Sequence, residues 1–260
     1  MTDKAKVAVH KFSSCDGCQL AFLNLGPALL DLAQAVELVH FAEAGPLAED
    51  AEVDIAFVEG SVTTPHDVER IARVRERSKY LVTIGACATA GGIQALRNHA
   101  DGEAWMAAVY ATPAHIDTLA TSTPISQHVK VDFELWGCPV NGRQLVATVN
   151  SLLLGVSPAD PAEKVCMTCK QNQTVCVMVA RGVPCMGPVT RTGCGALCPA
   201  FGRDCFACYG PAESPNTRAL ARRLDGLGLS AEATAHRFAY INSEAPAFRE
   251  AAMTARERQQ

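Results

Sequence analysis

The chain has 260 residues, a formal net charge of −4 and 48% hydrophobic residues, a globular composition that argues against disorder and against a nucleic-acid partner. Its longest apolar runs fall far short of the ~20 residues of a membrane helix, so we expect no membrane span. The N-terminus shows no signal peptide, and we therefore predict a cytoplasmic protein.

The first 157 residues alternate between apolar strand-like segments and helical patterns. Strands are predicted at residues 6–10, 36–41, 53–58, 80–84 and 129–136. Helices are predicted at residues 20–32, with Gly26-Pro27 as a candidate break, from Thr64-Pro65 onward, and at residues 141–154. This alternation predicts an α/β domain over residues 1–157, with a doubly wound, mostly parallel sheet.

The cysteine count indicates metal binding. A reducing compartment keeps thiols free unless a metal takes them, and the 12 cysteines divide into three groups of four, the number that one [4Fe–4S] cluster requires. Four of them follow predicted strands, so they should meet at the carboxyl edge of a parallel sheet: Cys15, Cys18, Cys87 and Cys138. The alternatives are that Cys87 and Cys138 are inert buried side chains, or that zinc replaces iron and sulfide.

The character of the chain changes after a break at Pro158, Asp160 and Pro161. The next segment is rich in glycine and proline and has few aliphatic strands. It contains the other eight cysteines within 43 residues. We predict a second domain over residues 158–260 that folds around two further iron–sulfur centres and ends in a helical tail. A local division gives one group of Cys166, Cys169, Cys176 and Cys185 and another of Cys194, Cys198, Cys205 and Cys208; a crossed division stays open.

Several motifs together resemble one family. The segments are Cys15-Asp-Gly-Cys18, Gly85-Ala-Cys87, Gly137-Cys138-Pro139, Cys185-Met-Gly-Pro188, Cys198-Pro199 and Gly202-Arg-Asp-Cys-Phe-Ala-Cys-Tyr-Gly-Pro211. In this order, they are similar to the proximal, distal and medial cluster motifs of [NiFe] hydrogenase small subunits. The resemblance implies a flavodoxin-like first domain and a small irregular iron–sulfur domain. It also implies a large-subunit partner that holds the nickel–iron site, so that this chain binds no nickel.

The resemblance also implies a role for each cysteine group. The group of Cys15 would hold the proximal cluster, the group of Cys194 the medial cluster, and the group of Cys166 the distal cluster. Where many relatives have a histidine, this chain has Cys166, and where many have an acidic residue, it has Ser13. All-cysteine ligation is similar to the soluble cytoplasmic hydrogenases, in particular to the delta subunit of NAD(P)-linked hydrogenase/sulfhydrogenase, and implies three [4Fe–4S] clusters.

This comparison implies an electron-transfer subunit of an oxidoreductase that acts on H2. Its further partners would be flavin/NAD(P)-binding and iron–sulfur diaphorase subunits, since no G-x-G-x-x-G opens a helix here. Glu59 matches an acidic position of the family, where a proton or interface role competes with a capping role. Two other functions stay open: a small subunit of a quinone-linked respiratory oxidoreductase, and a zinc-stabilised interaction module. The respiratory relatives tend to carry adjacent cysteines in the first motif and to lack the second cysteine-rich domain.

Overall fold

The computed structural model describes residues 4–159 and 163–257. The first three residues of the predicted leaderless N-terminus lie outside the described residues, as do Asp160 and Pro161 of the predicted domain break. Within the two described stretches, no helix combines the length and the apolar character needed to cross a bilayer.

The first part of the chain forms a five-stranded sheet in which every pairing is parallel. The strand order is β2-β1-β3-β4-β5, which is the order of flavodoxin-like folds and confirms the predicted fold class. The strands are β1 (Ala5–Lys11), β2 (Val36–Phe41), β3 (Val53–Glu59), β4 (Ser78–Ile84) and β5 (Phe133–Leu135).

Helices connect these strands and make up most of the regular structure in the rest of the chain. The first six are α1 (Gly17–Leu23), α2 (Pro27–Ala35), α3 (Pro65–Glu76), α4 (Gly85–Ala90), α5 (Gly102–Val109) and α6 (Gly142–Leu153). The others are α7 (Val165–Gln171), α8 (Val177–Arg181), α9 (Leu197–Ala200), α10 (Thr217–Asp225), α11 (Ala231–Phe238) and α12 (Pro246–Glu257).

Both faces of the sheet are covered, because successive side chains of a strand point to opposite faces. Val7 and Ile55 belong to one apolar core, with Phe22 of α1 and Leu145 of α6. The alternate residues, such as Ala8 and Ala56, belong to a second core with Ile71 of α3 and Ala88 of α4. The near-continuous apolar strands of the sequence are therefore buried on two sides, as a doubly wound sheet requires.

Three predicted elements differ in detail from the observed ones. The helix predicted at residues 20–32 is two helices, α1 and α2, because Gly26 adopts a φ of 61° immediately before Pro27. The predicted strand at residues 129–136 is reduced to Phe133–Leu135. Gly85–Ala90, which lies outside the predicted helices, forms the short helix α4.

The described residues beyond α6 contain no regular strand and pack around a third apolar core. This core includes Cys185 and Cys205 together with Phe238 and Phe248 of the helical tail. The tail thus covers the cysteine-rich segment. Residues of the first part, Ala90 and Trp136, also belong to this core, so the two parts share an interior. The domain boundary at residue 157 stays a prediction.

Two buried histidines lie side by side at the carboxyl ends of β1 and β2. The rings of His10 and His40 stack with their centroids 4.7 Å apart. Burial, together with the nearby His40 and Arg70, lowers the pKa of His10 to about 3. Burial also lowers the pKa of His40. Both imidazole side chains are therefore neutral in the folded protein, as expected of structural histidines.

We expect His10 to make the fold sensitive to acid. A histidine in an unfolded chain has a pKa near 6.5. Below that pH, His10 therefore binds a proton in the unfolded chain but stays neutral in the folded protein. The stabilisation is complete above pH 6.5 and is lost progressively as the pH falls toward 3. Between pH 7 and pH 5, the free energy of unfolding should fall by about 2 kcal/mol more in the parent than in His10→Gln.

The measurement is anaerobic denaturant unfolding followed by circular dichroism. His236→Gln is the control for the loss of a histidine at the surface, because the His236 side chain is 67% exposed. Equal losses in the parent and in His10→Gln would contradict the prediction.

Candidate metal centres

The first quartet of cysteines, Cys15, Cys18, Cys87 and Cys138, lies at the carboxyl edge of the sheet. Cys15 is in the loop after β1, and Cys18 is in the first turn of α1. Cys87 is in α4, directly after β4, and Cys138 follows β5. Parallel strands bring these four positions to the same edge, although 123 residues separate the first from the last.

The thiols of the first quartet affect one another's pKa. Burial raises the pKa of Cys87 to about 12, and the thiols of Cys138 and Cys15 add to this rise. Burial also raises the pKa of Cys18, to which Glu59, Cys87 and Cys138 contribute. Each thiolate would therefore disfavour the next unless a cation lay between them.

Glycines allow the backbone to approach these sulfur atoms closely. Gly85 has a φ of 83°, and a Cβ built on it would lie 2.3 Å from Cys18 Sγ. Gly92, with a φ of 67°, would place a Cβ 2.6 Å from Cys87 Sγ. Any other residue at either position would be strained and would push a sulfur atom out of the quartet.

Glu59 lies beneath the first quartet at the end of β3, and it is only 2% exposed. Its carboxylate accepts hydrogen bonds from the backbone N–H groups of Cys18, at 3.0 Å, and Gln19, at 3.3 Å. Burial raises the pKa of Glu59, whereas these hydrogen bonds lower it. The structure thus shows a contact that fixes the start of α1, and with it the orientation of Cys18.

The second quartet consists of Cys166, Cys169, Cys176 and Cys185. The first two lie in α7, and Cys176 immediately precedes α8. Burial raises the pKa of Cys166 to about 11, and Cys185, Cys169 and Cys176 all contribute to the rise. A Cβ on Gly187 would lie 3.4 Å from Cys166 Sγ and 3.5 Å from Cys185 Sγ, so these two sulfurs share one neighbour.

The third quartet consists of Cys194, Cys198, Cys205 and Cys208. Burial raises the pKa of Cys208 to about 12, with contributions from Cys194 and Cys198. Burial also raises the pKa of Cys205, to which Cys208 contributes. Cys205 also responds to Cys185 of the other group, so the local division of the eight C-terminal cysteines stays a prediction.

Backbone N–H groups point at sulfur atoms in this region. The N–H of Cys205 donates to Cys185 Sγ at 3.3 Å, and the N–H of Ala207 donates to Cys205 Sγ at 3.4 Å. Ala207 adopts a left-handed conformation with a φ of 59°, which turns its N–H toward Cys205. Such donors stabilise negative charge on sulfur and are one means of setting a cluster potential.

The third quartet lies between the other two. Cys138 of the first quartet contributes to the raised pKa of Cys208. On the other side, Cys185 of the second quartet contributes to the raised pKa of Cys205. Cys194 likewise acts on Cys169. The three groups therefore follow each other in space in the order first, third, second.

The donor set fits iron–sulfur clusters. All 12 cysteines are free thiols, and [4Fe–4S] clusters take four thiolates each. Within residues 4–159 and 163–257, no three Cys, His, Asp or Glu side chains are placed to hold a single metal ion. A four-iron cage takes one thiolate at each iron, so the relevant feature is the grouping in fours.

Two residues near the quartets were not singled out by the sequence. Tyr209 is 5% exposed, and burial raises the pKa of its phenol, as do the thiols of Cys194 and Cys208. Asn242 is buried in the tail and donates from Nδ2 to the carbonyl of Ala207 at 2.7 Å. Tyr209 directly follows a cysteine, which was a usable signal; Asn242 had none, because it lies 34 residues beyond the last cysteine.

Comparisons with known proteins agree with this arrangement. Residues 15–152 match the family described as NADH ubiquinone oxidoreductase, 20 Kd subunit. The delta subunit of sulfhydrogenase 2 from Pyrococcus furiosus is 35% identical, over 81% of this chain and 88% of the relative. A subunit of the F420-non-reducing hydrogenase vhu from Methanococcus voltae is 29% identical, over 82% of this chain and 84% of the relative.

A solved structure supports the same likeness for part of the chain. It is that of an NAD+-reducing [NiFe]-hydrogenase in the H2-reduced state, with 29% identity and a TM-score of 0.56. The match covers 61% of this chain and 96% of the other. The two curated relatives thus cover more of this chain than the structure does.

We expect Gly85→Ala to remove the metal from the first quartet. The added Cβ would displace Cys18 Sγ, and the variant should retain about 8 of 12 iron atoms, since a [4Fe–4S] cluster accounts for four. Gly228→Ala is a matched control, because Gly228 has a similar φ of 89° and no neighbour within 4 Å of an added Cβ. It should cost about 1 kcal/mol of stability and no iron. Iron and acid-labile sulfide assays decide, and full iron content in Gly85→Ala would refute the expectation.

Proposed function

Because this chain belongs to the NADH ubiquinone oxidoreductase 20 Kd subunit family and is a [NiFe] hydrogenase small subunit, we propose that it relays electrons through three [4Fe–4S] clusters. The relay connects a nickel–iron site on a large-subunit partner with a flavin/NAD(P) module. One observation carries the proposal: all twelve cysteines are free thiols, and neighbouring thiols contribute to the raised pKa values of Cys87, Cys166 and Cys208.

When bound, [4Fe–4S] clusters supply one-electron redox chemistry at potentials that the protein sets. The chain's own residues hold the clusters and tune them. Cys15, Cys18, Cys87 and Cys138 would hold the proximal cluster; Cys194, Cys198, Cys205 and Cys208 the medial cluster; and Cys166, Cys169, Cys176 and Cys185 the distal cluster. The N–H groups of Cys205 and Ala207, which point at sulfur, would favour the reduced, more negative state of the clusters.

Each quartet has an exposed member, the third quartet through Cys198, so the two ends of the proposed relay follow from the order of the quartets. Cys15 and Cys138 of the first quartet are exposed at the carboxyl edge of the sheet, which is where we place the large subunit. Cys176 of the second quartet is exposed on the far side of the third quartet, and there we place the electron-accepting subunit. The third quartet would then pass electrons between partners that never touch the same cluster.

The names of the relatives support the choice of acceptor. The delta subunit that covers 81% of this chain comes from a sulfhydrogenase, and the solved structure that covers 61% of it is NAD+-reducing. We therefore propose flavin/NAD(P)-binding and iron–sulfur diaphorase subunits as further partners. Twelve unpaired thiols suit a reducing compartment, so we place the complex in the cytoplasm.

The quinone-linked alternative has one specific observation in its favour, the description of the matching family. That match ends at residue 152, before the second and third quartets begin. A chain that served a respiratory complex would need no such quartets on this subunit, whereas a relay to a distant flavin subunit uses them. We therefore favour the hydrogenase role.

For Glu59, we propose a positioning role at the proximal cluster. The carboxylate is buried and both of its oxygen atoms accept N–H groups at the start of α1. These contacts hold Cys18 directly and are strongest with the ionised form of the carboxylate. Proton transfer would interrupt them.

The decisive experiment is anaerobic purification of the complex from its native host. We expect a nickel-containing large subunit to copurify and this chain to carry about 12 iron atoms with an equal amount of acid-labile sulfide. H2 should reduce the iron–sulfur signals in low-temperature EPR. Zinc without sulfide would establish the interaction-module alternative, and iron without a nickel partner would favour the quinone-linked one.

A pair of substitutions tests the local division of the eight C-terminal cysteines. Cys176→Ala and Cys185→Ala should each leave about 8 iron atoms, and the double variant should also leave about 8, because both residues serve one cluster. A crossed division that puts these two residues in different clusters predicts about 4 iron atoms in the double variant, because two clusters would each lose a ligand. Iron assays on the purified complexes distinguish the two.

A further inference from the structure

The segments that carry the first and third quartets are packed directly against each other. Trp136, Gly137 and Cys138 follow β5 in sequence, and Cys208, Tyr209 and Gly210 end the third quartet. A Cβ on Gly210 would lie 2.2 Å from the Trp136 ring, and a Cβ on Gly137 would lie 2.9 Å from the Tyr209 ring. The Trp136 ring of the first segment thus packs on Gly210 of the second, and the Tyr209 ring of the second packs on Gly137 of the first.

The Tyr209 ring also contacts a second glycine–cysteine pair. A Cβ on Gly193, which precedes Cys194, would lie 2.6 Å from the ring. Gly137 and Gly193 both have positive φ angles, of 148° and 141°. One ring therefore fills the space between the residue before Cys138 and the residue before Cys194.

Hydrogen bonds hold this contact in place. The hydroxyl of Tyr209 donates to the carbonyl of Pro139 at 3.4 Å. Asn141 Nδ2 donates to the carbonyl of Gly193 at 2.7 Å. Both bonds run between the loop after β5 and the third quartet, so that the ring has little freedom to shift.

We propose that Tyr209 is a positioning residue that sets the separation and the electronic contact of the proximal and medial clusters. The proposal rests on the relay function above, because it requires a cluster in each quartet. Its physical basis is that an aromatic ring cannot be compressed, and that the two glycines on which it packs, Gly137 and Gly193, add no side chain of their own between the segments. The rate of electron transfer falls steeply with distance, so such a spacer would govern the step between these two clusters.

The experiment compares Tyr209→Phe and Tyr209→Leu with the parent, each as a complete anaerobic complex. Tyr209→Phe keeps the ring and loses the hydroxyl bond to Pro139. Tyr209→Leu removes the ring and leaves all twelve cysteines. Tyr80→Leu is the matched control, since Tyr80 is a partly buried tyrosine of β4 that packs in the first core rather than between quartets.

Two readouts are needed: iron content, and the splitting of EPR signals that arises when two reduced clusters lie close together. Full iron content in every complex is expected. The splitting should keep its parental size in Tyr209→Phe and Tyr80→Leu and should increase in Tyr209→Leu, because the two segments close when the ring between them is removed. The rate of H2-dependent reduction of the distal signal should change only in Tyr209→Leu.

The outcomes separate the two proposals. A parent complex without iron refutes the relay function itself. An iron-loaded Tyr209→Leu complex with unchanged splitting refutes the spacer role alone, and so does loss of one cluster's iron, which would make Tyr209 a residue for cluster assembly. If Tyr209→Leu does not accumulate, Tyr209→Met takes its place, because its flexible chain retains packing without a rigid ring.

Discussion

The burial of many thiol groups is the constraint on which this structure depends. Eight of the twelve have a pKa above the usual value, and for each the largest cause is burial, with neighbouring thiols adding to it. A protein gains little from such side chains as packing units and cannot ionise them alone. A metal cation that takes the proton's place turns this cost into binding free energy, which then contributes to folding.

The backbone around the quartets also accommodates the buried sulfur atoms. Glycines stand where a Cβ would reach a sulfur atom, as at Gly85 and Gly92, and N–H groups point at Cys185 and Cys205. The strained Ala207 has its carbonyl held by Asn242 from the tail. The helical tail therefore supports the backbone of the cysteine-rich segment, even though it carries no cysteine.

The fold could be predicted from the sequence because its signals are local. Apolar runs of strand length, turns with glycine and a capped helix at Thr64 define the parallel sheet, and the sheet edge then brings Cys15, Cys87 and Cys138 together. The contacts between the two parts could not be predicted in this way. The packing of Tyr209 on Gly137 and the hydrogen bond from Asn242 to Ala207 join residues that are 35 or more positions apart. No periodic pattern in the sequence predicts either contact.

The shared interior has a consequence for how the subunit matures. Cys185 and Cys205 lie in the same apolar core as Phe238 and Phe248 of the tail, so a finished tail blocks access to their sulfur atoms. Any cofactor that these sulfur atoms bind would therefore have to enter before the last helices dock. Docking of α10–α12 would then close the core over the two cysteines as a late step of folding.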